Sequence, residues 1–178
     1  TVAKSIIKNG KGDATAALKT DGSVLAWGNK DRGGDVSKVQ HQLVDVRYIY
    51  AAERAFAALK ADGSVVAWGA YRAGGDCRQV QQQLVDVRHI YSTNRAFAAL
   101  KVDGTVVAWG AGPEIPWYNG GDKGGDCSEV QAQLVDVRHI YSTQHAFAAL
   151  KAGGRVVSWG AGGSYGAKLG YSDVQDQL

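Results

Sequence analysis

Paired glycines followed by aspartate stand at Gly33-Gly34-Asp35, Gly74-Gly75-Asp76 and Gly124-Gly125-Asp126, with a further copy at Gly120-Gly121-Asp122. Carboxylates on such backbone could serve calcium, which wants six or more oxygen ligands and finds them in the calcium-binding β-roll by stacking nine-residue repeats. Here the equivalent aspartates recur at 41 or 50 residues, too far apart for that stacking. They are expected to cap helical turns, with Asp76 at the N-cap of GGDCRQVQQQL, and no metal site is expected.

Cys77 and Cys127 share one repeat position, which Val36 fills in the first copy. A slot open to Val or Cys reads as a small buried hydrophobe. Equivalent positions in adjacent copies are too distant for a disulfide, whose Cα atoms must lie within about 7 Å, and neither thiol has the CxxC or His companion of a zinc site. His89 and His139 are also equivalent, with Tyr48 in the first copy, so aromatic packing or hydrogen bonding is expected of them. Asp45 and Arg47, Asp86 and Arg88, and Asp136 and Arg138 are two apart on strands, hence on one face, and predict repeated ion pairs along an edge. The sequence shows no set of nucleophile, base and orienter, no GxxxxGK loop and no HExxH motif. The chain is expected to be non-enzymatic and to use no cofactor.

Departures from the repeat are the places free to bind a partner. Residues 111–123, AGPEIPWYNGGDK, are an insertion holding both prolines, Pro113 and Pro116, and an extra aromatic pair. Prolines limit the loop's entropy, and amphipathic aromatics are favoured interface anchors. Glu114, Trp117 and Tyr118 are therefore candidate partner-binding residues. The fourth copy departs again at GGSYGAKLGY, where Tyr165 and Lys168 join the candidates, although an atypical terminal copy also serves to cap an array.

The elements that must position these residues are written four times. RAFAALKADGSVVAWGA at Arg54 returns as RAFAALKVDGTVVAWGA at Arg95 and HAFAALKAGGRVVSWGA at His145, with a weaker ATAALKTDGSVLAWGN at Ala14. Trp27, Trp68, Trp109 and Trp159 align at spacings of 41, 41 and 50 residues. Periods of this size mark propellers, solenoids or arrays. Within a unit, VDVRHIYS predicts a strand, and AFAALK and SVVAWG predict a hairpin turning on Asp-Gly, or on Gly153-Gly154 in the last copy. Apolar residues on both strand faces mean a sheet covered on both sides. One domain is expected over residues 1–178, with repeats near 1–43, 44–84, 85–134 and 135–178.

Composition narrows the partner. The formal charge is +3, from 20 basic and 17 acidic residues spread along the chain, so nucleic acid is not expected. The apolar runs are far too short to span a membrane. The chain begins TVAKSII, without Met or signal peptide, which fits either a boundary or a removed leader and leaves the compartment open.

The pattern V..I.....AFAALK.DGSVVAWG resembles the repeat of the regulator of chromosome condensation (RCC1-like repeats), over essentially all 178 residues. With its GGD...VQ.QL segment it is most similar to a short 41-residue variety associated with repeat proteins of dinoflagellates and some bacteria. The resemblance implies an all-β fold with short helical turns, a four-repeat β-propeller-like arrangement. A β-solenoid and half of a larger propeller are the alternatives. It further implies a protein-interaction scaffold, such as an accessory subunit of a plastid or membrane complex, with self-association open to it. A carbohydrate-binding lectin with one pocket per blade and a regulator of a small GTPase are the rival functions.

Overall fold

The computed structural model describes residues 2–111 and 124–160. Among them, twelve strands form four three-stranded antiparallel sheets, each in simple up-and-down order. Blade 1 comprises β1 (Ala3–Lys8), β2 (Ala14–Lys19) and β3 (Val24–Gly28). Blade 2 comprises β4 (Val46–Ala51), β5 (Ala55–Lys60) and β6 (Val65–Gly69), and blade 3 comprises β7 (Val87–Ser92), β8 (Ala96–Lys101) and β9 (Val106–Gly110). Blade 4 comprises β10 (Val137–Ser142), β11 (Ala146–Lys151) and β12 (Val156–Gly160). The expected all-β, four-blade propeller-like architecture is what the chain adopts.

Each hairpin turns where Asp-Gly or Gly-Gly allows it. Asp62 Oδ1 accepts from the Ser64 amide at 2.9 Å, and Gly63 takes φ of +79°, a region that side chains other than glycine seldom enter. The turn also reaches the next blade: Val87 N donates to Gly63 O at 3.0 Å, as Val46 N does to Gly22 O and Val137 N to Gly104 O, both at 2.9 Å.

Alternation along the second and third strands explains why both their faces are apolar. Phe97, Ala99, Val107 and Trp109 of blade 3 pack on Ala55, Ala57, Leu59, Val65 and Ala67 of blade 2. Phe147, Ala149, Val157 and Trp159 of blade 4 pack in the same way on Ala96, Ala98, Leu100, Val106 and Ala108. Blade 2 sets Phe56, Ala58, Val66 and Trp68 against Ala14, Ala16, Leu18 and Val24. An aromatic-bearing face thus meets an alanine floor at every junction. The small side chains let the aromatics fill the space at native packing density.

The linkers seal these junctions from outside. Leu43, Leu84 and Leu134 are fully buried. The predicted helix of GGDCRQVQQQL is a 3₁₀ helix over Arg78–Gln83, and its N-cap is Cys77, which makes no side-chain cap bond. Asp76 lies one residue earlier and accepts from Arg78 N at 2.9 Å, as Asp35 does from Ser37 N at 2.8 Å and Asp126 from Ser128 N at 3.0 Å. These carboxylates close turns ahead of the helix instead of capping it. Cys77 and Cys127 are buried free thiols, each donating to the glutamine four residues on, Gln81 and Gln131.

A candidate binding face on the first strands

The first strands of consecutive blades lie against one another, β1 on β4, β4 on β7 and β7 on β10, so they line the inner edge of the array. Each carries a β-bulge near its start, between Val46 and Tyr48, Val87 and His89, and Val137 and His139. The residue just before β4, β7 and β10, Asp45, Asp86 or Asp136, holds a left-handed backbone with φ of 55–56°. Aspartate tolerates that region better than most side chains. Together the left-handed residue and the bulge overturn the simple alternation assumed from sequence. Among the described residues, no ion pair joins Asp45 to Arg47, Asp86 to Arg88 or Asp136 to Arg138.

Beyond the bulge, the aromatic positions of three blades form one continuous ladder. Tyr50 meets His89 edge-on at 5.1 Å between ring centroids, His89 lies 4.7 Å from Tyr91, Tyr91 meets His139 at 5.3 Å, and His139 lies 4.6 Å from Tyr141. Tyr48 extends the ladder beyond Tyr50 at 6.5 Å. Tyr50 Oη is 3.3 Å from His89 Nδ1, and Tyr91 Oη is 3.3 Å from His139 Nδ1. The phenol donates where the imidazole carries its proton on Nε2. Packing and hydrogen bonding by these histidines are thus as their repeat positions led us to expect.

The surroundings favour the neutral forms of Tyr50, His89 and Tyr91. Burial pushes the Tyr50 phenol up to about 12, so it stays a donor at neutral pH. Burial also lowers His89, helped by His139 and the Arg88 guanidinium. Arg47, Arg88 and Arg138 share one repeat position, each directly before a ladder residue in the sequence, and Arg88 Nη2 donates to the Arg138 carbonyl at 3.0 Å. Residues remote in sequence become a row of rings, with the Arg88 guanidinium close to His89 and Tyr91. Tyr and Arg are the side chains most enriched at energetic centres of interfaces.

The sequence candidates Glu114, Trp117, Tyr118, Tyr165 and Lys168 lie outside the described residues. The sequence alone does not single out the ladder, because a residue repeated from copy to copy is most simply read as architecture. The signal that could have found it is the Tyr/His-x-Tyr spacing on three of the four first strands, Tyr48 with Tyr50, His89 with Tyr91 and His139 with Tyr141. Among the described residues, no three His, Cys, Asp or Glu side chains gather as a metal site would require, and no helix is long and apolar enough to cross a membrane.

No family profile and no curated protein matches the chain in sequence. Solved structures do match. Prp20p from Saccharomyces cerevisiae superposes with a TM-score of 0.59 at 21% identity, over 96% of this chain and 49% of that one. Yeast RCC1 (Prp20) bound to Kap60 gives 0.55 at 20% identity, over 90% and 45%. The ectodomain of the Physcomitrella patens receptor kinase CR4 gives 0.55 at 14% identity, over 96% and 42%. The fold is an RCC1-like β-propeller fold, and the chain spans about half the length of these solved chains.

Proposed function

We propose that this chain is a non-catalytic scaffold that binds another protein across the ladder of its inner strands, and that its units belong to the RCC1-like repeat family in a short, 41-residue form. The observation that carries the reading is the six-ring ladder from Tyr48 to Tyr141, on strands that each carry an arginine at the same repeat position, Arg47, Arg88 or Arg138. No carboxylate pairs with those three arginines among the described residues, so the fitting partner is an extended, acidic protein surface. A continuous track suits a polypeptide better than the separate pockets of a lectin. The structures with a similar fold support the class of ligand by analogy: one holds yeast RCC1 with Kap60, and another describes the binding of Prp20p to Gsp1p and histones.

The test is affinity capture with cross-linking, comparing the native chain with a Tyr91→Ala, His139→Ala double variant. Loss of the captured protein, with at least a tenfold fall in affinity, is the expected result. Unchanged capture by that variant, together with loss in a Trp117→Ala, Tyr118→Ala variant, would move the site to the insertion.

A further inference from the structure

We infer that two copies of this chain associate head to tail, blade 4 of one against blade 1 of the other. Among the described residues, four features that repeat at every internal junction stop at blade 1 and at blade 4, and they stop in complementary ways.

The first is the aromatic-bearing face. Val66 and Trp68 are 6% and 3% exposed, Val107 and Trp109 are 6% and 4%, and Val157 and Trp159 are 3% and 6%, each covered by the preceding blade. In blade 1 the same positions are Leu25 and Trp27, at 52% and 48%. The second is the alanine floor. Its residues are buried in blades 2 and 3, whereas Ala146, Ala148, Leu150 and Val156 of blade 4 are only half-buried. One end therefore lacks a floor, and the other lacks the aromatics that fill it.

The third is a chain of backbone bonds between the loops that precede the second strands. Lys11 N donates to Glu53 O at 3.3 Å, Glu53 N to Asn94 O at 2.8 Å, and Asn94 N to Gln144 O at 2.9 Å. Among the described residues the Gln144 amide has no acceptor and the Lys11 carbonyl no donor, so Gln144 of one copy can continue the series onto Lys11 of a second. The fourth is the hairpin clasp. Gly22, Gly63 and Gly104 pack so closely on the next blade's aspartate that an added Cβ would lie 3.0–3.2 Å from its Cα, while Gly154 has nothing within 4 Å. No amide donates to the Gly154 carbonyl among the described residues.

A partner of unrelated chemistry would have to answer all four features separately. A second copy answers them together, because the floor of its blade 4 repeats the surface that covers each internal face; blade 1 offers Trp27 and Leu25 to that floor, with Thr15 in the place of the phenylalanine. The contact is heterologous, and such contacts stay finite only when the rotation closes. Two copies closing on each other would form one ring of eight blades.

Sedimentation and native mass measurements on the full chain test this, with Trp27→Asp at one end, Ala148→Arg at the other, and Val102→Asp as an exposed control away from both. The expected result is a two-chain particle whose dissociation constant rises at least about 30-fold in either end variant and is unchanged in the control. Circular dichroism that matches the native chain shows that each variant is folded. A monomer at high concentration, a two-chain particle that survives both end variants, or a particle of any other number of chains overturns the inference.

Discussion

The indole Nε1 of Trp68 donates to the carbonyl of Gly33 at 3.0 Å, and the same bond, 35 positions back in the chain, joins Trp109 to Gly74 and Trp159 to Gly124 at 3.1 Å. Each bond pins a linker onto the blade that follows it. Each of these indoles also lies stacked on a phenylalanine of its own blade, with Phe56–Trp68, Phe97–Trp109 and Phe147–Trp159 at 5.2–5.4 Å. The Trp-Gly signature is therefore a lock between blades.

Breaking that lock in the middle of the array removes both a packed ring and a buried bond. Trp109→Ala is expected to lower unfolding free energy by about 3–5 kcal/mol. Urea denaturation at a fixed protein concentration measures it.

The glycine at the other end of the bond has no room for a side chain. Gly74 takes φ of +88°, and an added Cβ would stand 2.6 Å from Phe97 Cδ2. Gly74→Ala is expected to cost about 1–3 kcal/mol. Gly153, with open space around it, should accept Ala at no cost, and parallel melting curves of the two variants make the comparison.

Thiol chemistry should be slow in the folded protein. Burial pushes the Cys77 thiol up to about 11 and raises Cys127 as well. At pH 8 neither should react with a disulfide reagent until denaturant opens the chain. Cys77→Val, which installs the residue of the first copy at position 36, should change stability by less than about 1.5 kcal/mol.

Acidification should loosen the ladder. His89 titrates below its ordinary value in the fold, so the unfolded chain takes up the proton more readily. The contribution of this group is fully present above about pH 6.5 and is lost as pH falls toward the folded value. A histidine-detected NMR titration should place His89 below the free value. Tyr50→Phe should alter its titration, because the phenol that faces His89 Nδ1 is gone.

Local chemistry made much of this protein legible. Asp-Gly pairs supply turns within a few residues of the strands they join, and strict alternation of Phe, Ala and Leu states that both faces of a hairpin are covered. Those features act over short stretches, so residues 54–70 already predict β5, its turn and β6. The slot shared by Val36, Cys77 and Cys127 likewise announced its burial without a fold.

Only the stacking of blades decided which distant residues meet. Tyr50 reaches His89 across 39 positions and Tyr91 reaches His139 across 48, and neither contact follows from a repeat period until the first strands are known to lie side by side. The expected Asp–Arg pairs failed for a related reason. Counting by twos assumes a regular strand, but the left-handed Asp45 and the bulge at Arg47 break that parity at the point where one blade hands the chain to the next. The sequence determined the blade. The contacts between blades, which depend on backbone geometry at the junctions, determined the face that the protein presents.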